Sequence, residues 1–210
     1  GRGTVTSHYD VIVIGAGPAG MSAAQTAAAR GARVLVLDEQ RSPGGQIYRA
    51  IENQGNQQRP ELGASYLDGV PLTQAFRQSE LEYVSGASVW HLSADLEVGY
   101  SREGAARIVN AARVIIATGA QERPVPIPGW TKRGVMTVGA AQILLKESSV
   151  VAEHAVFAGT GPLLYLAVHQ LIELGVPVKA VLDLTPAQNY MRALPAVPGA
   201  LSGFSKIFEG

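Results

Sequence analysis

Gly15, Gly17 and Gly20 stand two and three residues apart in "VIVIGAGPAGMSAAQ", directly behind an apolar, β-branched run. Glycines at that spacing give a tight turn, a backbone bare enough for a pyrophosphate to approach, and a point where helix and strand touch. Pro18 and Ala19 lead into an Ala-rich helix whose first N–H groups and positive dipole end would face the phosphates. The next apolar run, "RVLVL", ends on Asp38 and Glu39. An acid about 20 residues past such a loop is placed to accept hydrogen bonds from a ribose hydroxyl, and either of the two fits. A lone G-x-G-x-x-G is weak evidence, but here strand, loop, helix, strand and acid come in register.

The pattern starts again further on. Shifting the chain by 144 residues lays "AVFAGTGPLLYLAVHQLIELGVPVKAVLD" over the first unit, with Gly159 on Gly15, Gly161 on Gly17, Gly175 on Gly31 and Asp183 on Glu39. Leu164 then takes the place of Gly20. A leucine at that packing point is expected to push helix from strand and disturb pyrophosphate docking. The second unit therefore reads as Rossmann-like in fold, while its loop either takes a nicotinamide dinucleotide, NAD(P), or only folds.

Both loops need elements to hold them. Val11–Ile14 and the "RVLVL" run read as buried parallel strands flanking the first helix. After "SPGGQIYR", the polar stretch "AIENQGNQQRPELG" reads as loop and weak helix. From Leu81 to Ile116, the runs "LEYVSGASVWHLS", "LEVGYSREGAARIV" and "RVIIATG" read as a β-meander returning to a parallel strand. The proline-rich "AQERPVPIPGW" follows as a rigid, non-helical connection. The expected fold class is α/β: a three-layer Rossmann-like domain with a β-meander insertion, then the start of a second Rossmann-like domain. The expected division is 1–125, a linker over 126–149, and an incomplete second dinucleotide-binding domain over 150–210.

Composition narrows the function. The 210 residues are 47% apolar and 16% charged with 24 Gly, which fits a buried α/β protein and argues against disorder. Zero net charge gives no reason to expect a nucleic acid or an anionic membrane partner. With no cysteine, the chain has no disulfide, thiolate metal site or dithiol pair of its own, and the four histidines show no metal-ligand spacing, so no metal is expected. No apolar run is long enough to span a membrane, and a cytoplasmic location is the default expectation.

With "GAGPAG", the "DE" pair, "GGQ" and "ATGAQERPVPIPG" in that order, the chain resembles the two-dinucleotide-domain flavoproteins related to thioredoxin and glutathione reductases. More narrowly, "PGGQIYR" and "ATGAQERPVPIPGW" with "GVMTVGAAQILLK" are similar to the FAD-containing alpha-type subunits of amino-acid dehydrogenases built from several subunits. Opine oxidases, proline and hydroxyproline dehydrogenases and hydrogen cyanide synthase belong to that group. The resemblance implies FAD on the first unit. Gly15, Gly17 and Gly20 would face the pyrophosphate, with Pro18 and Ala19 in the same turn, and Asp38 or Glu39 would hold the adenosine ribose. Gly45 and Gln46 would run beside the cofactor, Val89 would offer backbone contacts near the adenine, and Ala117, Thr118 and Gly119 would close over it.

The same resemblance implies an electron-relaying subunit whose partners are other dehydrogenase subunits or a second copy of itself, and a small-molecule electron donor. Lacking a cysteine pair, it could not use a thiol relay. Two alternatives stand beside it: an NAD(P)H-dependent flavin reductase using Gly159, Gly161 and Asp183 for its second nucleotide, or a non-catalytic nucleotide-binding assembly subunit. Because such flavoproteins run further and return a last strand to the flavin, the chain is expected to be an N-terminal part, inactive in isolation. No catalytic residue is singled out. Glu122 and Arg123 could form a polar pair near the flavin or a surface ion pair; Tyr48, Arg49 and Trp130 could flank the cofactor or simply pack.

Overall fold

The computed structural model describes residues 7–54, 62, 64–193 and 195. Most of "ENQGNQQRPELG" lies outside the described residues, so the loop expected there is not assessed. Two compact units result, one of residues 1–57 and 66–121, the other of 58–65 and 122–210. Among the described residues no helix is long and apolar enough to cross a membrane.

The first unit runs β1 (His8–Ile14), α1 (Pro18–Ala28), β2 (Val34–Asp38), a 3-10 turn (Ile51–Gln54), the second half of α2 (Ala64–Leu67), α3 (Gly69–Gln78), β3 (Glu82–Ser85), β4 (Ser88–Leu92), β5 (Glu97–Arg102) and β6 (Ala105–Ile116). The strands form one sheet in the order β3-β2-β1-β6-β5-β4. Its β3, β2, β1 and β6 are parallel neighbours, and β4, β5 and β6 are antiparallel neighbours. The last strand of the expected meander and the returning strand are thus one continuous strand, β6, while β3, expected within the meander, joins the parallel strands beside β2. The Ala105–Asn110 half of β6 pairs with β5, and its Asn110–Ile116 half pairs with β1.

A parallel strand covered on both faces reads as an unbroken apolar run, and every residue of β2 is buried. On one face Val11, Val13, Val34 and Val36 pack with Met21 and Ala24 of α1 and Phe76 of α3. On the other, Ile12, Ile14, Leu35 and Leu37 pack with Val98, Tyr100 and Val109 from the meander. Helices, parallel strands and meander make the three layers.

The second unit holds α4 (Val138–Ser148), β7 (Ala155–Gly159), α5 (Pro162–Glu173), β8 (Val178–Asp183) and α6 (Ala187–Ala193), with β7 and β8 parallel. Its core is Phe157 with Leu164, Ala167 and Leu171, a three- and four-residue spacing that puts one face of α5 on β7. The stretch 126–149, expected as a linker, contains α4. Two acceptors make that helix start where it does: Thr137 Oγ1 takes the Ala140 N–H at 3.3 Å, and Glu122 Oε2 takes the Gly139 N–H at 2.8 Å.

Candidate nucleotide-binding site

The first glycine loop is built from close backbone contacts. Gly15 has φ +103°, and a Cβ there would lie 2.4 Å from the carbonyl oxygen of Ala117. A Cβ on Gly20 would lie 1.9 Å from the Gly15 carbonyl oxygen, so α1 meets β1 at a point where no side chain fits. Gly17 is different. Its backbone is extended, and the nearest atom to its missing Cβ is Gly45 Cα at 3.8 Å, an ordinary contact, so nothing crowds the start of α1 at this point. Pro18 occupies the first helical turn, Ala19 is exposed, and no acidic residue sits in that turn. The free N–H groups of a helix start face this point, and a phosphate is what such a cradle takes.

The two acids at the end of β2 part company. Asp38 is buried, and its carboxylate accepts hydrogen bonds from the backbone N–H groups of Ala16 and Gln40. Burial pushes its pKa up despite those two donors. Glu39 points into solvent, accepting a 3.3 Å bond from the Gln40 side chain. Asp38 shapes the loop from within, and Glu39 is the exposed one of the two.

Two further segments meet the loop. The Gly44 N–H donates to the Ala16 carbonyl at 2.8 Å, and Gly45, at φ +61°, sits so near Gly17 that a Cβ would come within 2.8 Å of its Cα. Gln46 Nε2 donates to the Ala120 carbonyl at 2.9 Å, tying this turn to the segment after β6. There the Ala117 N–H donates to the Ile14 carbonyl at 2.8 Å, and Thr118 and Gly119 follow, both exposed. The β3–β4 turn meets the end of β2, with the Ala87 N–H on the Asp38 carbonyl at 2.8 Å. Val89 follows two residues later on β4 and packs on the core below. Glycine loop, Glu39, Gly45–Gln46 and Ala117–Gly119 therefore lie together at one end of the sheet.

The second loop departs from the first in three ways. Gly161, not Gly159, takes the positive φ (+91°). Leu164 is buried, with its Cδ1 4.0 Å from where a Gly159 Cβ would be, so a leucine side chain spaces α5 from β7. The acid also needs correction. The register slips between Ala155 and Val156, where β8 carries Lys179 as an extra residue, and the offset between the units grows from 144 to 145. Gly159 then pairs with Asp183 as Gly15 stands beside Asp38, so Asp183 matches Asp38 and not Glu39. Both accept the backbone N–H two residues on, from Thr185 and Gln40 respectively. The match to Glu39 is Leu184. Asp183 is engaged from the outside as well, accepting from the hydroxyls of Tyr165 and Tyr190. The Thr185 hydroxyl first, then those of Tyr165 and Tyr190 and the Thr185 N–H, hold its carboxyl well below the usual range, and the bond to Asp183 in turn raises the pKa of Tyr165.

Glu122 caps α4 through the Gly139 N–H, a role not expected for it from the sequence. Trp130 lies in a turn, its N–H on the Ile127 carbonyl at 3.0 Å, and is 45% exposed. Arg49 Nη1 donates to the Gln40 side chain at 3.0 Å. Tyr48 packs on the α1–α3 side of the core, and Gly69 beneath its ring was not visible as a site residue in sequence.

A glycine loop against a helix start, with an outward acid and two segments converging on it, is the arrangement of a Rossmann-type dinucleotide-binding unit. Residues 9–177 match the pyridine nucleotide-disulphide oxidoreductase family, and the chain belongs to it. Among its relatives, the opine oxidase A-type subunit of Agrobacterium tumefaciens (strain Ach5) is 51% identical over 188 residues, covering 85% of this chain and 37% of that protein. Hydrogen cyanide synthase subunit HcnB of Pseudomonas aeruginosa is 34% identical over 82% of this chain and 38% of its own length. The alpha subunit of sarcosine oxidase from Corynebacterium sp. (strain P-1) is 35% identical over 84% and 19%. In fold, the chain superposes on L-proline dehydrogenase from P. horikoshii with a TM-score of 0.66 at 19% identity, covering 86% of this chain and 37% of that one. The chain thus spans less than two fifths of the length of the first two relatives and of this structure.

Proposed function

We propose that the first unit binds FAD and that the chain serves an electron-relaying subunit of a multi-subunit opine or amino-acid dehydrogenase. The observation that carries the cofactor is the glycine loop itself, where Gly15 and Gly20 are crowded by backbone while Gly17, at the start of α1, has no atom closer to its missing Cβ than Gly45 Cα at 3.8 Å. Gly15, Gly17, Pro18, Ala19 and Gly20 would hold the pyrophosphate, and Glu39 the ribose, while Asp38 keeps the Ala16 N–H in place. Gly45, Gln46, Val89 and Ala117–Gly119 would line the rest of the cofactor. Bound FAD supplies the two-electron chemistry, and these residues bind it, orient it and exclude water.

Three relatives named as subunits, of opine oxidase, hydrogen cyanide synthase and sarcosine oxidase, support a small amine or amino-acid donor and a partner subunit. The second unit supports no NAD(P) site: Leu164 stands in the helix–strand contact, and Leu184 stands where an outward acid is needed. Purified protein tests the whole reading through its absorbance spectrum. Flavin bands that bleach with an amino acid only when a partner subunit is added are expected, with no bleaching by NAD(P)H. A colourless protein after reconstitution with FAD would overturn the cofactor, and rapid bleaching by NADPH would restore the flavin reductase alternative.

A further inference from the structure

The turn that carries Gly44, Gly45 and Gln46 belongs to no helix or strand, yet it touches the glycine loop backbone to backbone. Tyr48 holds it there. The Tyr48 N–H donates to the Gly44 carbonyl at 3.1 Å, and its own carbonyl oxygen fills the space of a Gly44 Cβ, 2.3 Å from that position. Its ring fills the space of a Cβ on Gly69, the first residue of α3, with Cγ at 2.4 Å and Cδ1 at 2.5 Å; Ile51 Cδ1 shares that space at 2.7 Å. Any side chain at Gly69 would collide with the ring.

The backing is firm. The Leu72 carbonyl of α3 accepts from Gln25 of α1 at 3.0 Å, and Phe76 is fully buried against α1. At the other end of α3, Arg77 holds Glu52 of the 3-10 turn by two bonds of 2.8 Å. The contacts close into a ring. α1 begins at Gly17, Gly45 rests on Gly17, Tyr48 holds Gly44 next to it, Gly69 seats Tyr48, and α3 returns to α1.

We propose that Tyr48, seated on Gly69, is a positioning residue that fixes the width of the phosphate opening over Gly17. The inference rests on the reading of that loop as the FAD site. Gly45 is the wall of the opening, and its distance from Gly17 is set by a side chain that touches no ligand. A wall held in place before binding spares the ligand the cost of ordering it. The ring does this through its shape, so the hydroxyl is dispensable. A methyl group at Gly69 would drive the ring outward, because the helix backbone beneath cannot yield as a side chain can.

Flavin fluorescence quenching gives the FAD affinity of each variant, far-UV circular dichroism reports the fold, and hydrogen exchange of the apo-protein reports the 44–49 amides. Gly69→Ala and Tyr48→Ala are each expected to weaken FAD by about tenfold or more and to speed exchange at 44–49, whereas Tyr48→Phe stays within about twofold. Gly69→Ala adds little to Tyr48→Ala, because the clash has been removed. If Tyr48→Ala loses its fold, Tyr48→Leu replaces it, with weakened binding in support and wild-type binding against. Wild-type affinity in folded Gly69→Ala, a Tyr48→Phe as weak as Tyr48→Ala, or simple additivity would each overturn the role of Tyr48 while leaving the FAD site standing. A wild-type chain that binds no FAD would overturn both.

Discussion

In the first unit α1 touches β1 through Gly20, where a Cβ would lie 1.9 Å from a backbone oxygen; in the second, the same place holds buried Leu164. The acid at the strand end is used internally in both, Asp38 by Ala16 and Gln40, Asp183 by Thr185 and two tyrosines. The first unit then has Glu39 free to face a ligand, and the second has Leu184. On the reading proposed above, a βαβ unit keeps its fold while giving up the features that admit a dinucleotide. What it gives up is close approach and a spare acid.

The largest expected effect separates binding from folding. Gly17→Val should abolish FAD binding, because the side chain enters the open cradle, while the melting temperature of the apo-protein stays near wild type, since extended backbone accepts valine. Retained flavin would reassign the loop. Next comes a pair with opposite demands. Gly20→Ala should destabilise the first unit by about 3 kcal/mol through overpacking, and Leu164→Ala the second by about 3 kcal/mol through a cavity. Urea melts can read them separately, because the two tryptophans fall one to a unit, Trp90 in the first and Trp130 in the second. A Leu164→Ala chain as stable as wild type would deny the leucine its spacing role.

Smaller effects test the acids. Asp38→Ala leaves two N–H donors without their acceptor and should cost about 2 kcal/mol, whereas Glu39→Ala should leave stability unchanged and weaken FAD by about tenfold. Equal effects of the two changes on FAD would remove the distinction. The pH dependence should run in opposite senses. Asp38 has a raised native pKa, so its contribution is full below the unfolded value of 3.8 and is lost as the pH rises through the raised value. Asp183 has a lowered one, so its contribution is full above 3.8 and is lost as the pH falls towards the lowered value. Between neutral pH and pH 4 the Trp90 melt should gain relative to that of Asp38→Asn, and below pH 4 the Trp130 melt should lose relative to that of Asp183→Asn. Parallel curves for either pair would contradict its assignment.

The first loop was legible because its glycines, helix and acids follow the chain without interruption. The choice between Asp38 and Glu39 was not. β2 is buried on both faces, so no polar–apolar alternation tells which way its last side chains point. The bulge at Lys179 was hidden for a related reason, since Gly175 and Asp183 fit the 144-residue spacing well enough without it. α3 begins "GVPL", whose glycine and proline read as turn residues, and its reason for being a helix lies in Tyr48, Gln25 and the α1 surface. α4 hid behind the prolines that precede it, and its start depends on Glu122, 17 residues from Gly139.

Because β6 is one strand shared by meander and parallel sheet, the site has an order of assembly. β1 leaves the ribosome with α1 and β2 close behind, but its other neighbour ends at Ile116, about a hundred residues later. At ribosomal speed, β1 waits roughly 5–20 s with that flank bare, and Gly15 lacks the Ala117 carbonyl that crowds it. The β4–β5–β6 hairpins close locally and can form before they meet β1. Docking of the finished meander would then complete the cofactor loop in a single late event, so a nascent chain stalled short of Ala117 should carry the glycine motif and hold no flavin.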